Sequence, residues 1–262
     1  MTSPKFENDL LHITARIAVE MKDGKTSIGT GFFYQAKMED DSERTLTFLV
    51  SNRHVFINPK NTLKLSLNRR KEDRSVDLGN ILEILTDDFS DSYVAHPDPN
   101  VDLACVNVSP LTHIDAFWKH LHHDFLKPID YSKVFPGVDV LFVGYPENRF
   151  DVVNNLPLIR KGSIASSPGV DFNGQGHIVI DAQVFQGSSG SPVFVVQGSD
   201  WSLLGVVSQT MIRQSRLQTL EVNLPEVGVE QILGLGLIVK QKYVQELIDF
   251  ALPEIIRRNT TS

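Results

Sequence analysis

Short apolar stretches alternate with turn-forming residues along almost the whole chain. Apolar and polar positions alternate over 13–19, Asp23-Gly24-Lys25 has the composition of a hairpin turn, and 28–34 continues as its partner. Further strands are predicted at 46–50, 63–67, 102–108, 138–143, 178–180, 192–196, 203–207 and 235–239. Many short strands at fairly regular spacing imply an antiparallel sandwich or barrel.

Two segments carry a helical period instead. Ile114, Phe117, Trp118, Leu121 and Phe125 fall on one stripe, with Thr112 as a cap, and predict a helical insertion near 113–126 packed on the barrel. Val244, Leu247, Ile248, Ala251 and Leu252 repeat in the same way after Gln241. They predict a terminal helix within 241–257 whose continuation Pro253 limits.

Composition narrows the classes. With 41% of 262 residues hydrophobic and 22% charged, a substantial core is available, and no repeat or linker separates independent units. Against a net charge of −7, the one basic cluster, Arg69, Arg70 and Lys71, runs straight into Glu72 and Asp73. That pattern suits a solvated loop, and nucleic acid is not expected as a partner. No stretch is long and apolar enough to span a bilayer, and the first nine residues lack a leader's apolar core, so no membrane association is expected. Cys105 is the only cysteine, which rules out an intrachain disulfide and fits a reducing, cytoplasmic compartment.

The chemistry concentrates in Phe185-Gln186-Gly187-Ser188-Ser189-Gly190-Ser191-Pro192-Val193. A serine flanked by glycines suits a tight turn that lets a carbonyl approach and aims backbone N–H groups at one point. An ordinary Gly/Ser loop would have the same composition, and chain order sharpens the choice. All eight histidines precede Ser189, so an α/β-hydrolase, whose histidine follows its nucleophile, is excluded. His54 follows the apolar run Phe48-Leu49-Val50, where a base can be held at a strand end, whereas His12, His96 and His177 lie in weaker settings. Asp102 precedes an apolar strand and can be buried beside that base, while Asp98 sits between prolines. His120, His123 and Asp124 share a helical face near His113 and His122; a solvated face explains them, and no metal is expected.

His54, Asp102 and Ser189 with their surroundings resemble the trypsin-like peptidases. The nearest resemblance is to the protease domain of the HtrA/DegP type and its PDZ-free bacterial relatives. It runs in order through Gly29-Thr30-Gly31-Phe32, Ser51 to Val55, Asp102-Leu103-Ala104, Gly144-Tyr145-Pro146, Lys161-Gly162-Ser163-Ile164, the Ser189 string, Leu204 to Ser208 and Gly234 to Leu237, and so spans about 13–250. The nucleophile string is also similar to that of staphylococcal glutamyl endopeptidases.

The resemblance implies a chymotrypsin-like fold of two packed six-stranded antiparallel β-barrels, about 12–110 and 136–240, joined by the insertion at 111–135. It implies a cofactor-free serine endopeptidase working through an acyl-enzyme on a protein or peptide. His54, Asp102 and Ser189 would be catalytic, and the Gly187 and Ser189 amides the oxyanion hole. Gln183, Val184, Phe185, Gln186, Gly234 and Gly236 would line the primary pocket, and Ser208, Gln209 and Thr210 would pair with the substrate backbone. With Gln183 six residues before Ser189, that pocket is expected to be uncharged and to favour a small or medium apolar side chain. Ser188 stands where digestive members have an aspartate, so activation by N-terminal cleavage is not expected. Little chain follows the terminal helix, so no PDZ module is expected, and a short N-terminal extension suggests a monomer. The alternative reading is a silent or partner-gated member of the fold that serves as a binding or signalling module.

Overall fold

The computed structural model describes residues 6–38, 44–197, 200–216 and 228–260. After a one-turn helix, α1 (Phe6–Asp9), the N-terminal half is one antiparallel sheet. Its strands are β1 (Thr14–Glu20), β2 (Thr26–Lys37), β3 (Thr45–Ser51), β4 (Thr62–Arg70), β5 (Val76–Asp87), β6 (Tyr93–Ala95), β7 (Ala104–Asn107) and the two-residue β8 (Ala116–Phe117). They pair in the order β5-β4-β1-β2-β3-β7-β6, with β8 added on β4. The predicted hairpin joins β1 to β2, and Gly24 takes the positive φ of 83° that its turn requires.

The C-terminal half is a closed six-strand barrel. It is built from β9 (Asp139–Gly144), β10 (Leu158–Ile164), β11 (His177–Asp181), β12 (Pro192–Gln197), β13 (Asp200–Arg216) and β14 (Gly228–Lys240), in the order β10-β11-β14-β13-β12-β9. The chymotrypsin-like pairing of a barrel with a second sheet and a terminal helix is as expected. The second sheet differs in count, with eight strands instead of six. Beyond Ser66, where its pairing with β1 ends, β4 takes β8 on that edge at Asn68 and Arg69 and keeps β5 on the other across a bulge between those two residues. β5 itself is almost wholly exposed, which is why its weakly alternating sequence gave no strand signal.

The helical insertion expected near 113–126 is not a helix. Its described elements are 3₁₀ turns at Ser109–His113 and His123–Leu126, with β8 between them. Its backbone groups find partners in other elements: Lys119 N–H donates to His12, Leu121 N–H to Phe33, and Gln35 N–H to the Leu121 carbonyl, each at 2.8 Å. Those bonds replace the i−4 ladder, while the apolar stripe still packs inward through buried Leu121 and through Trp118 stacked on Phe33.

The terminal helix runs over Gln241–Thr260 and passes through Pro253. An interior proline costs a helix about 3 kcal/mol or more. Docking on both sides of it offsets that cost. Val244, Leu247, Ile248, Ala251 and Ile255 are buried, and Arg258 Nη1 donates to the carbonyls of Ser90, Asp91 and Tyr93. These helix residues share one cluster with Phe32, Val50 and Leu103 from the sheet and Phe194, Val206 and Val239 from the barrel. That apolar seam fixes the two halves against each other, and the candidate site lies along it.

Candidate active site

His54 is carried on α2 (Arg53–Phe56), a single turn that follows directly on β3. Val55 and Phe56 anchor the turn in the core, which leaves His54 facing outward. The base therefore stands one turn beyond the strand end where the sequence placed it. The turn closes at Ile57, whose amide donates to the Arg53 carbonyl at 3.1 Å and whose φ is 52°. Such a backbone is strained for a β-branched residue, at a cost of about 1–3 kcal/mol.

Asp102 arrives on the segment that leads into β7. Arg53 pins that segment by donating to the carbonyls of His96 at 2.9 Å, Pro99 at 3.1 Å and Asp98 at 3.3 Å. Asn52 Nδ2 donates to the Asp102 carbonyl at 2.8 Å. His54 Nδ1 then stands 2.6 Å from Asp102 Oδ2, the His54 amide donates to Oδ1 at 3.1 Å, and the Ser208 hydroxyl donates to Oδ2 at 3.1 Å. An ionised carboxylate only accepts, so Nδ1 carries the imidazole proton. Burial alone would push the Asp102 carboxyl up. The bonds and charge of His54, with the Ser208 hydroxyl, outweigh it and hold Asp102 below the ordinary carboxylate value. Asp98 instead closes a local turn on Asn100.

The Ser189 turn is held from three sides. Ser188 N–H donates to the Phe185 carbonyl at 3.0 Å, Gly190 N–H to Val207 at 2.8 Å, and Thr30 N–H to the Ser189 carbonyl at 2.8 Å. Gly190 has φ 87°, and a Cβ there would lie 1.9 Å from the Thr30 carbonyl oxygen, so only glycine fits. Gly187 also has φ 87°, and the preceding Gln186 carbonyl accepts from Glu147 N–H at 2.6 Å. The C=O and N–H of a trans peptide point in opposite directions, so the Gly187 amide is turned away from Glu147. Among the described residues neither the Gly187 nor the Ser189 amide has a backbone partner, so both remain available as donors. The Ser189 hydroxyl donates to the Ser208 carbonyl at 3.2 Å; in this structure its partner is Ser208 and not His54.

Of the expected pocket residues, Val184 is buried and packs on Gly236, where a Cβ would lie 2.4 Å from Val184 Cγ2. Thr210 Oγ1 donates to the Val184 carbonyl at 2.8 Å, and Ala182 N–H to Gly234 at 2.9 Å. Gln183, expected at the pocket floor, is exposed. Ala182 and Val184 on either side are buried past the end of β11, and Gln183 between them faces solvent. Gln186 and Gln209 are also exposed, and Phe185 is half-buried. Beside Gly187 opens a cleft of about 360 Å³ lined by Thr26, Ile28, Glu147, Asn148, Gln186 and Gly187. His122, His123 and Asp124 bring ligand atoms within 4.8 Å of one another, but the Lys127 ammonium lies 3.3 Å from Asp124 and occupies its charge.

Several residues that shape the site escaped the sequence reading. Thr30 entered only as part of a short motif, yet its hydroxyl donates to the Gly187 carbonyl at 2.9 Å and accepts from Tyr145 N–H at 3.1 Å. Asn52 and Arg53 entered only as neighbours of His54. Their adjacency to the base was the available signal, but their partners lie more than forty residues away.

A barrel and sheet joined at a seam, with a serine turn from one half facing a histidine and aspartate from the other, define the class of trypsin-like peptidase folds. The family model of the trypsin-like peptidase domain matches residues 29–206. The chain therefore belongs to the trypsin-like peptidase family. Among solved structures it is similar to the HtrA-type protease AlgW with tripeptide, at 15% identity and TM-score 0.54, in two structures covering 92% and 94% of this chain. This chain spans 60% and 63% of the length of those two. It is also similar to the tobacco vein mottling virus protease, at 13% identity and TM-score 0.52, covering 95% of this chain and 87% of that one. No curated protein matches its sequence.

Proposed function

We propose that the chain is a serine endopeptidase that cleaves peptide bonds through an acyl-enzyme. The observation that carries this reading is the bond between His54 Nδ1 and Asp102 Oδ2, which leaves Nε2 of the same ring as the proton acceptor. In the proposed reaction Ser189 Oγ attacks the scissile carbonyl carbon as its proton passes to His54 Nε2. Negative charge then develops on the carbonyl oxygen, where the Gly187 and Ser189 amides donate to it. Collapse breaks the C–N bond, His54 returns its proton to the leaving amine, and water repeats the cycle to release the acid. Asp102 stays ionised throughout and stabilises the imidazolium.

The substrate is a protein or peptide lying as an added strand along Ser208 to Thr210. Val184 against Gly236 favours an uncharged primary pocket that takes a small or medium apolar side chain, since neither residue can pair a substrate charge. The reading includes a monomer in the cytoplasm that needs no cofactor. Among the described residues no helix is long and apolar enough to cross a membrane.

One observation favours a second reading, a partner-gated peptidase: the Ser189 hydroxyl is engaged by Ser208 and would have to turn to His54. The two readings separate in a digest of a peptide library by the purified chain alone. Cleavage by wild type that Ser189→Ala lacks supports a constitutive enzyme. Cleavage by both proteins alike would overturn the assignment, and activity only after a partner is added would favour gating.

A further inference from the structure

Arg160 lies on β10 directly opposite Phe142 of β9. Its guanidinium carbon is 5.1 Å from the ring centre of Phe142 and 5.2 Å from that of Phe185. The side chain is thus held between one ring of the barrel wall and one ring of the Ser189 turn. Its Nη1 is buried without a hydrogen-bond partner, and among the described residues no carboxylate pairs with it. Burial lowers the affinity of this guanidinium for its proton, yet arginine stays charged in proteins.

Arg160 is half-buried, and its buried Nη1 loses solvation with no acid beside it, a cost that another contact must offset. The ring faces of Phe142 and Phe185 supply one by cation–π attraction. The ring that Arg160 grips belongs to the residue that closes the turn. The Phe185 carbonyl accepts Ser188 N–H at 3.0 Å, and Ser188 Oγ lies 3.4 Å from Phe185 N. Ser188 is buried and uncharged, so no ion pair fixes the turn from beneath. The next residues, Gly187 and Ser189, carry the two amides without backbone partners.

We propose that Arg160 is a positioning residue for acyl transfer: in cation–π contact with both Phe142 and Phe185, it locks the 185–189 turn in the shape that leaves the Gly187 and Ser189 amides open to an oxyanion. This inference rests on the acyl-enzyme reading above. Arg160 touches neither substrate nor reacting atoms, and it acts only through the Phe185 ring. The broad, delocalised guanidinium matters, because a lysine ammonium keeps the charge but is a compact point charge that cannot reach both ring faces at once in the same way.

The test compares wild type, Arg160→Lys, Arg160→Met and Arg160→Ala, with kcat expressed per site titrated by a fluorophosphonate. Arg160→Met is expected to lower kcat at least tenfold, short of the roughly hundred- to thousand-fold that follows loss of an oxyanion donor. KM should change by less than about threefold, as expected when only transition-state interactions are lost. Arg160→Lys should fall between, and sub-denaturing guanidinium chloride should restore part of the Arg160→Ala rate while leaving wild type unaffected. A purely structural role would lower Tm without moving kcat per titrated site or responding to guanidinium. Unchanged kcat per site in Arg160→Met overturns the proposal. Should that variant not fold, Phe142→Leu decides in its place: the same kcat loss with unchanged KM supports the proposal, and unchanged kcat overturns it. A wild type that the probe does not label at Ser189 sinks the acyl-enzyme reading and this role together. A labelled wild type beside an unimpaired Arg160→Met sinks only the role of Arg160.

Discussion

The Thr30 amide on β2 donates to the Ser189 carbonyl at 2.8 Å, across the seam between sheet and barrel. The same residue's hydroxyl bridges the Gly187 carbonyl and the Tyr145 amide, so a strand of the N-terminal half sets the shape of a turn in the C-terminal half. Thr30→Val keeps the outline and removes the hydroxyl, which strands two buried polar groups. The variant is expected to lose about 1–3 kcal/mol of stability, read as a lower urea midpoint, together with part of kcat. A variant with wild-type midpoint and rate would show that the bridge is unimportant.

Asp102→Asn preserves the shape of the acid but lets the imidazole adopt the wrong tautomer. Turnover is expected to drop roughly ten-thousand-fold. Ser208→Ala removes only the 3.1 Å bond to Oδ2 and should cost far less, because both His54 contacts remain. Steady-state kinetics on one peptide substrate ranks the two, and a larger loss for Ser208→Ala would reverse the roles assigned here.

Ten of the described strands, the hairpin at Gly24 and the pairing of His54 with Asp102 were legible in the sequence because each rests on local pattern or on chain order, whereas β5, β6, β8 and β10 were not. What was hidden depends on distant partners. The stripe from Ile114 to Phe125 has a helical period, yet backbone bonds to His12, Phe33 and Gln35 draw it out of a helix. β5 escaped notice because it pairs with β4 while burying almost nothing. Gln183 was expected in a pocket by offset from Ser189, but the buried positions on either side belong to Ala182 and Val184. Arg160 offered no signal, since its aromatic partners come from two other segments.

Acidification should act on activity and on stability through different groups. Asp102, held below the ordinary carboxylate value by its bonds to His54 and Ser208, stays ionised through the acid range in which activity is lost. The acid limb of kcat/KM is therefore expected to follow one proton, and a limb requiring two would contradict this. Stability follows His96, whose Nδ1 accepts from Asp98 N–H at 3.1 Å inside the segment that leads to Asp102. Burial lowers the His96 pKa from 6.5, partly countered by the Asp98 amide and Glu246. The unfolded chain therefore takes up that proton first. The stabilisation is complete above 6.5 and is lost as pH falls from there toward the lowered value. Thermal melts should show Tm declining over that window in wild type, and His96→Gln should lessen the decline, the remainder coming from His12, His120 and His177, which burial lowers in the same way. An equal slope in both proteins would rule His96 out.

Ser191 lies two residues past Ser189, is buried, and its hydroxyl has no hydrogen-bond partner among the described residues. Ser191→Ala is expected to retain wild-type turnover and stability. A loss of turnover comparable to that of Ser189→Ala would mean the nucleophile had been placed on the wrong serine.

Labelling by a fluorophosphonate probe tests the central claim most directly, because the probe reacts only with a serine activated by a neighbouring base and an oxyanion hole. Intact-mass spectrometry of the purified chain should show one adduct, and peptide mapping should place it on Ser189. Ser189→Ala should take up none, and His54→Ala should label far more slowly. Absence of any adduct on wild type, or an adduct on another residue that persists in Ser189→Ala, would contradict the account.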